Sequence, residues 1–420
     1  MAHAGEPAKL IQRVRDIQGE VATLRGLEFQ VDVTVDVETP TQMREHMVQE
    51  IEQQLDEQTR LGLNLTWRTL GLVPKDFDVA VAYADILEQH VGGYFDVKRE
   101  RLVLVQRATA SGGPNPMQDM VTAHELVHAL QDQNFDLWSL TQRELNNDDV
   151  GAALQALVEG DASYAMLYRL PVPLDPDQMG GALGASPRVL REPLVFPYTQ
   201  GLVFAQRVKL SGDGWTALDR AFAAPPLSTE QVLHPDKYVG DNPDWPTMLD
   251  GKDPDRLLGP DWTLISQDTF GELGMRVVLR EHLGTTVRPG DAVPGEGWDG
   301  DRLWLWQRNS DEAPAMLWVS TWDDETSAAN HRRAMDRVVQ RLYPHASWSD
   351  SPGLEGRKGR EGKFEHGARR RGRDVVVTLN VPHSRARRLR RYARSLKHRE
   401  VRDLNDVAAE PAEGRDAHED

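Results

Sequence analysis

The sequence predicts an α+β chain, with a mostly helical core carrying a small antiparallel sheet and a smaller C-terminal α+β domain behind it. Three observations predict this. Capped, helix-forming stretches fill most of the first 240 positions. The clean period-two segment there, Phe29 to Glu38, is short. Strand-like apolar runs return late, at Leu303-Trp304-Leu305-Trp306, Met316-Leu317-Trp318-Val319 and Val375-Val376-Val377-Thr378-Leu379, with a helical stretch Thr326 to Leu342 between the last two. A chain of 420 residues has room for two or three domains. The expected division is 1–262 for the main domain (a strand and helix region over 1–110, helices over 111–240), 263–402 for the smaller domain, and 403–420 for a disordered acidic tail.

Taken in order, residues 7–25 read as a helix ending near Gly26. From Phe29 to Glu38 every odd position is apolar and every even one polar, which describes a strand with one buried face and its acids in water. Thr39-Pro40-Thr41-Gln42 supplies a cap, a first-turn proline and a box partner for a helix to about Arg60. A second helical stretch surrounds Trp67 to Leu72 and stops at Pro74. Val79 to His90 reads as a helix, although its alternation also permits a strand; His90 near its end suits the helix dipole or a core better than a ligand role. Residues 91–106 read as a β-hairpin.

The next helix carries the chemistry. Gly112-Gly113 marks a loop, Asn115 can cap, and Pro116 suits the first turn. The sequence then runs through His124-Glu125-Leu126-Val127-His128. Residues four apart on a helix share a face, so the two imidazoles can occupy two corners of a zinc tetrahedron. Glu125 is turned about a hundred degrees away and can take a proton from a zinc-activated water. Val121, Val127 and Leu130 make the helix apolar enough to bury, and a buried helix with such polar groups needs partners for them. A third ligand must come from elsewhere. The positions three and six beyond His128 are Gln131 and Asn134, which excludes the pattern with a Gly and a ligand there. Asp148 or Asp149 caps a second helix that presents Glu159 after the apolar run Leu154, Leu157, Val158. Glu159 is the expected third ligand; Glu144, Asp148 and Asp149 sit at the end of that helix or outside it.

With these residues the chain resembles the gluzincin class of zinc metallopeptidases, over roughly residues 90–240. The resemblance implies a zincin-like fold, a zinc ion held by His124, His128 and Glu159, and Glu125 as general base. It implies that the strand before the motif helix borders the cleft and pairs with extended substrate backbone, where an ordinary sheet edge is the plainer reading. It also implies an oxyanion donor from a Tyr or His after the Glu ligand, with Tyr198, His234 and Tyr238 as the candidates. Phe135-Asp136-Leu137-Trp138 is expected to pack over the site. A non-catalytic protein that keeps the zinc-bearing fold for binding or assembly is the alternative.

Beyond Glu159 the helix is expected to reach about Leu170. A Pro/Gly-rich loop over 171–193 follows, then helices at Leu202 to Leu210 and Trp215 to Phe222, and a one-turn helix behind the capping box Ser228-Thr229-Glu230-Gln231. Residues 240–262 read as an ordered linker, Thr269 to Leu283 as a helix and 284–300 as a Gly/Pro-rich break. The final stretch Arg385 to Arg402 reads as a basic helix with Leu389, Tyr392 and Leu396 on one stripe, either docked or solvated on the chain's own acidic body or facing a polyanion.

Charge and composition narrow the classes. Net charge is +13 over 357–402 and −6 over 403–420, which leaves −24 on residues 1–356 of the total −17. So acidic a body argues against nucleic acid as partner; the peptide or protein substrate is what the gluzincin resemblance implies. With no Cys, disulfides, thiolate zinc sites and cysteine nucleophiles are excluded. No run of 18 apolar residues offers a membrane span. Met1 to Gly19 has no apolar signal region. The hazard of a peptidase in cytoplasm favours the mature form of an exported protein over a cytoplasmic one.

Overall fold

The structure is a computed structural model that describes residues 6–90, 92–105, 116–141, 147–169, 184, 186–284, 293, 295–351 and 355–408. The chain is mixed α+β and divides into two units. The first comprises residues 1–143, 151–226 and 231–243, the second 144–150, 227–230 and 244–420.

In the first unit, α1 (Glu6–Arg25) ends where Gly26 takes a positive φ of 71°, as a left-handed helix stop requires. β1 (Thr34–Glu38) is shorter than the alternating segment, and the alternation does not set its burial. Val37 is exposed, whereas Glu38 is buried and takes His46 Nδ1 at 2.8 Å and the Tyr94 hydroxyl at 3.3 Å. The expectation that these acids all face water therefore fails, because side-chain partners decide where Glu38 points. The helix expected to reach Arg60 is two helices, α2 (Pro40–Gln54) and α3 (Glu57–Thr69). Asp56 caps the second by accepting from Thr59 N–H at 2.7 Å, a stop-and-restart the apolar pattern does not mark. After α4 (Val79–His90) come β2 (Gly93–Asp96) and β3 (Arg101–Val105). The side chain of His90 lies outside the described residues.

The sheet order is β1-β3-β2, with β3 antiparallel to β2 and parallel to β1. The small sheet is thus mixed, a correction to the antiparallel expectation. The long helical crossover α2–α4 brings the chain back to run alongside β1, which a short hairpin link does not do. Against this sheet lies α5 (Pro116–Phe135), the motif helix, followed by the short α6 (Leu137–Thr141) and by α7 (Asp148–Arg169). The core joins Val14, Ile17 and Val21 of α1, Leu102 and Leu104 of β3, Leu126, Val127 and Leu130 of α5, and Ala162 and Ala165 of α7. Each large apolar side chain so buried stabilises the unit by roughly 1.5–3 kcal/mol.

Helix α8 (Arg188–Ser211) corrects the expectation of a loop to 193 and a helix from 202. It runs through Pro193 and Pro197, each of which removes one intrahelical hydrogen bond. Its buried face of Val189, Leu190, Phe196, Phe204, Ala205 and Val208 outweighs that loss. Then come α9 (Trp215–Ala223) and α10 (Thr229–Leu233). The two long helices α7 and α8 meet backbone to backbone. A Cβ on Gly160 would stand 2.2 Å from the Gly201 carbonyl oxygen, and one on Gly201 would stand 2.3 Å from that of Ala156. Only glycine permits this approach.

The second unit holds a seven-stranded antiparallel sheet of order β5-β6-β7-β11-β10-β9-β8. In chain order its elements are β4 (Thr247–Asp250), β5 (Trp262–Asp268), α11 (Gly271–Leu283), β6 (Trp298–Arg308), β7 (Pro314–Trp322) and α12 (Glu325–Leu342), then β8 (Ser347–Asp350), β9 (Glu355–Glu361), β10 (Phe364–Arg371), β11 (Asp374–Pro382), α13 (His383–Ser395), β12 (Lys397–Glu400) and α14 (Leu404–Ala408). This sheet is far larger than the three late apolar runs suggest. Those runs are β6, β7 and β11. The charged strands β9 and β10 show no apolar alternation and are joined by ladder bonds and by ion pairs such as Arg370 with Glu355 at 2.5 Å. The basic helix is α13 and ends at Ser395, because β12 then pairs with β4. Its stripe of Leu389, Tyr392 and the following Leu396 is buried with Trp304, Trp306, Leu317 and Val319 of the sheet. The tail after 408 lies outside the described residues. No helix among the described residues is long and apolar enough to cross a membrane.

Candidate metal centre

Helix α5 places His124 and His128 one turn apart on the face toward α7. Their rings meet edge to face, with centroids 4.7 Å apart. From α7, Glu159 reaches both: its Oε2 is 3.0 Å from His124 Nε2 and 3.3 Å from His128 Nε2, and the two Nε2 atoms are 3.1 Å apart. Two ring nitrogens and a carboxylate oxygen thus form one small triangle. In a tetrahedral zinc site with ligand bonds of roughly 2.0–2.1 Å, ligand atoms lie about 3.3 Å apart. The donor set of two imidazoles and a carboxylate suits zinc. The residues present fit that ion.

The electrostatics point the same way. Burial alone would raise Glu159 and lower His128, but the two attract each other more strongly. Glu159 is held well below the usual carboxylate range and His128 is pushed up to about 9. The pocket therefore favours positive charge at this spot, whether a proton or a metal carries it.

Glu125 lies beside the triangle and outside it. Its Oε2 accepts the Phe95 N–H of strand β2 at 2.9 Å, which fixes the carboxylate against the sheet. Burial raises its pKa; the two imidazoles and the Phe95 amide pull the other way and only partly offset that. Tyr198, on α8, packs its ring 6.1 Å from that of His124 and lies close to Glu159, and burial together with the two carboxylates holds its hydroxyl far above the usual range. The glycine crossing explains this contact. Glu159 precedes Gly160 and Tyr198 lies one turn before Gly201, so the closest approach of α7 and α8 brings the two side chains together.

The other candidates fall elsewhere. His234 precedes the short turn Pro235–Lys237 and is not among the residues whose ligand atoms converge. The Tyr238 hydroxyl donates to the Ala224 carbonyl at 2.6 Å and its ring packs on Phe204, so it locks a loop. Phe135 stacks on Phe222 with centroids 4.3 Å apart, and Trp138 stays exposed, so that segment does not follow the expectation of a cover. Asp149 is buried and accepts from Thr229 within the second unit. Asn115 and Glu144 lie outside the described residues.

Two participants escape sequence reasoning. The Phe95 amide leaves no trace in side-chain identity. Gln131, whose Oε1 is 2.9 Å from His128 Nδ1, does carry a signal, being a polar residue on the buried face one turn after the second histidine. A second group, Glu230, Asp244 and Asp323, could hold an ion by spacing alone but contains no histidine. Residues 262–390, within the second unit and clear of the metal centre, match the family model described as a domain of unknown function, DUF8575. No curated protein and no solved structure matches the chain.

Proposed function

We propose that the first unit is a zinc-dependent peptidase of the gluzincin kind on a zincin-like helical core. His124, His128 and Glu159 hold the ion, Glu125 is the general base, and the substrate is a peptide or protein. The triangle of Nε2, Nε2 and Oε2 at 3.0–3.3 Å carries this reading, because two imidazoles and a carboxylate converge at the spacing of three corners of a zinc tetrahedron, where a metal can replace the protons the rings would otherwise hold. Bound zinc would lower the pKa of a water in its open position and polarise a carbonyl oxygen.

The chain's own groups do the rest. Glu125 accepts the proton of the attacking water and passes it to the departing amine, and its raised pKa suits a group that must hold a proton between two steps. The Phe95 N–H keeps that carboxylate aimed. The Tyr198 hydroxyl is the donor favoured for the developing oxyanion, since its ring lies 6.1 Å from that of His124. The strand just before α5 is β3, which is paired on both sides and leaves no edge for a substrate, contrary to the expectation for it; β2, an edge strand of the sheet among the described residues, is where an extended peptide can pair instead.

The test uses Glu125→Gln. The parent should bind zinc and cleave members of a diverse peptide library, and the variant should bind zinc and cleave them about 10³-fold more slowly. Turnover by the variant at the parental rate would overturn the mechanism. Zinc binding by a parent that cleaves nothing would favour the non-catalytic alternative.

A further inference from the structure

Behind His128 runs a chain of buried polar groups. Gln131, Asp161 and Arg25 are all fully buried. The Gln131 amide nitrogen donates to the Val158 carbonyl at 3.0 Å and to Asp161 Oδ2 at 2.9 Å. Arg25 donates from Nε to Asp161 at 2.9 Å and from Nη2 to Asp219 at 2.8 Å, and its guanidinium lies 4.7 Å over the Trp215 ring.

This arrangement allows one orientation of the Gln131 amide. Val158 offers a carbonyl and Asp161 a carboxylate held by a guanidinium; both accept and neither donates. Turning the amide over would set its oxygen against two acceptors in a dry interior, at a cost of about 1–3 kcal/mol or more. The amide nitrogen therefore faces away from the metal centre and Oε1 faces His128. An oxygen at 2.9 Å requires a proton on Nδ1. That leaves the Nε2 lone pair of neutral His128 pointing at His124 and Glu159.

We infer that Gln131 is a positioning residue: it fixes the Nδ1–H form of His128, and Asp161 and Arg25 fix Gln131. A carboxylate would hold the imidazole equally well. An amide does so without adding a second negative charge beside Glu159. The ion-pair end of the chain, Asp161 with Arg25 and Asp219, is thereby kept one residue further from the metal.

The inference rests on the metal-centre reading, and the experiment separates the two. Nitrogen-15 labelled full-length protein is loaded with zinc alone, and long-range ¹⁵N–¹H spectra are recorded. The parent should show His128 ligating through Nε2 with an exchange-protected proton on Nδ1. Gln131→Met, which keeps length without the amide, should lose that protection and hold zinc about 10–100-fold more weakly in chelator competition. Ligation of His128 through Nδ1 in the parent overturns the inference, and this result does not depend on the variant folding. So does a Gln131→Met protein that binds zinc within twofold of the parent and keeps the protected proton. A parent that takes up no zinc sinks the metal-centre reading instead.

Discussion

Two histidines, one in each unit, show how surroundings set what a buried ring can do. His331 in α12 stacks on Trp322 with centroids 4.3 Å apart, and burial pushes its pKa down to about 3. His128 is buried as well, yet Glu159 pushes it up to about 9. The carboxylates make the same contrast. Asp301 in the second unit is buried and accepts from four fixed donors: Phe270 N–H at 3.1 Å, Gly271 N–H at 2.9 Å, and the indole N–H groups of Trp298 and Trp318 at 3.0 and 2.8 Å. Its lone pairs are satisfied by neutral groups that cannot move, so it ties β6 to the start of α11 and to β7. Glu159 instead faces two ring nitrogens that lie only 3.1 Å from each other. A buried acid saturated by N–H donors is architecture, and one that shares a corner with two imidazoles is a candidate place for a cation.

The largest effect that would sharpen this contrast is loss of metal. Glu159→Ala and His128→Ala should purify with zinc at background level, while His331→Gln should keep the parental zinc content, all read by elemental analysis. Equal metal content across the three would erase the distinction between the two histidines. Next comes Glu125→Gln, where removal of a general base should lower turnover by about 10³-fold with metal retained. For Tyr198→Phe the expected loss is about 10²-fold, mostly in kcat. Parental kcat there would return the oxyanion role to His234, the remaining candidate.

How much of this was legible in the sequence differs between the units for the same reason. The convergence of His124, His128 and Glu159 could be read because His124, Glu125 and His128 sit on one strongly marked helix, and Glu159 on another with its own cap. What links them could not. The approach of α7 to α8 depends on Gly160 and Gly201, and the start of α8 at Arg188 is hidden by Pro193 and Pro197, which read as breakers until the helix's buried face is known. In the second unit β6, β7 and β11 announce themselves by apolar runs. β9 and β10, rich in Arg, Lys and Gly, are strands because their neighbours are, and pairing of that kind is written nowhere in the local sequence.

The glycine crossing gives a prediction on stability. Gly160→Ala forces a methyl onto the Gly201 backbone, which cannot move aside as a flexible side chain would. The first unit should lose about 1–3 kcal/mol, read by urea unfolding, and zinc affinity should fall with it as Glu159 and Tyr198 are pushed apart. Unchanged stability would mean that α7 and α8 do not meet at this point.

The last effect belongs to His331, and its sign distinguishes it from His128. Its folded pKa is about 3, below the unfolded value of about 6.5. Between these values the unfolded chain binds a proton that the native state refuses. The contribution of His331 to stability is therefore fully present above about pH 6.5 and is lost as pH falls through the window toward 3, at up to ~1.4 kcal/mol per pH unit. Other acids of the second unit titrate in the same range, with Asp149 raised to about 7 by burial, so the useful quantity is the difference between parent and His331→Gln. Hydrogen exchange at the β7 amides reports opening of that sheet without involving the first unit. Between pH 7 and pH 4.5 the parent should lose about 2–3 kcal/mol more protection than the variant. Parallel slopes would mean that the His331 ring is protonated in the folded state, as it would be if an acid met it in the manner that Glu159 meets His128.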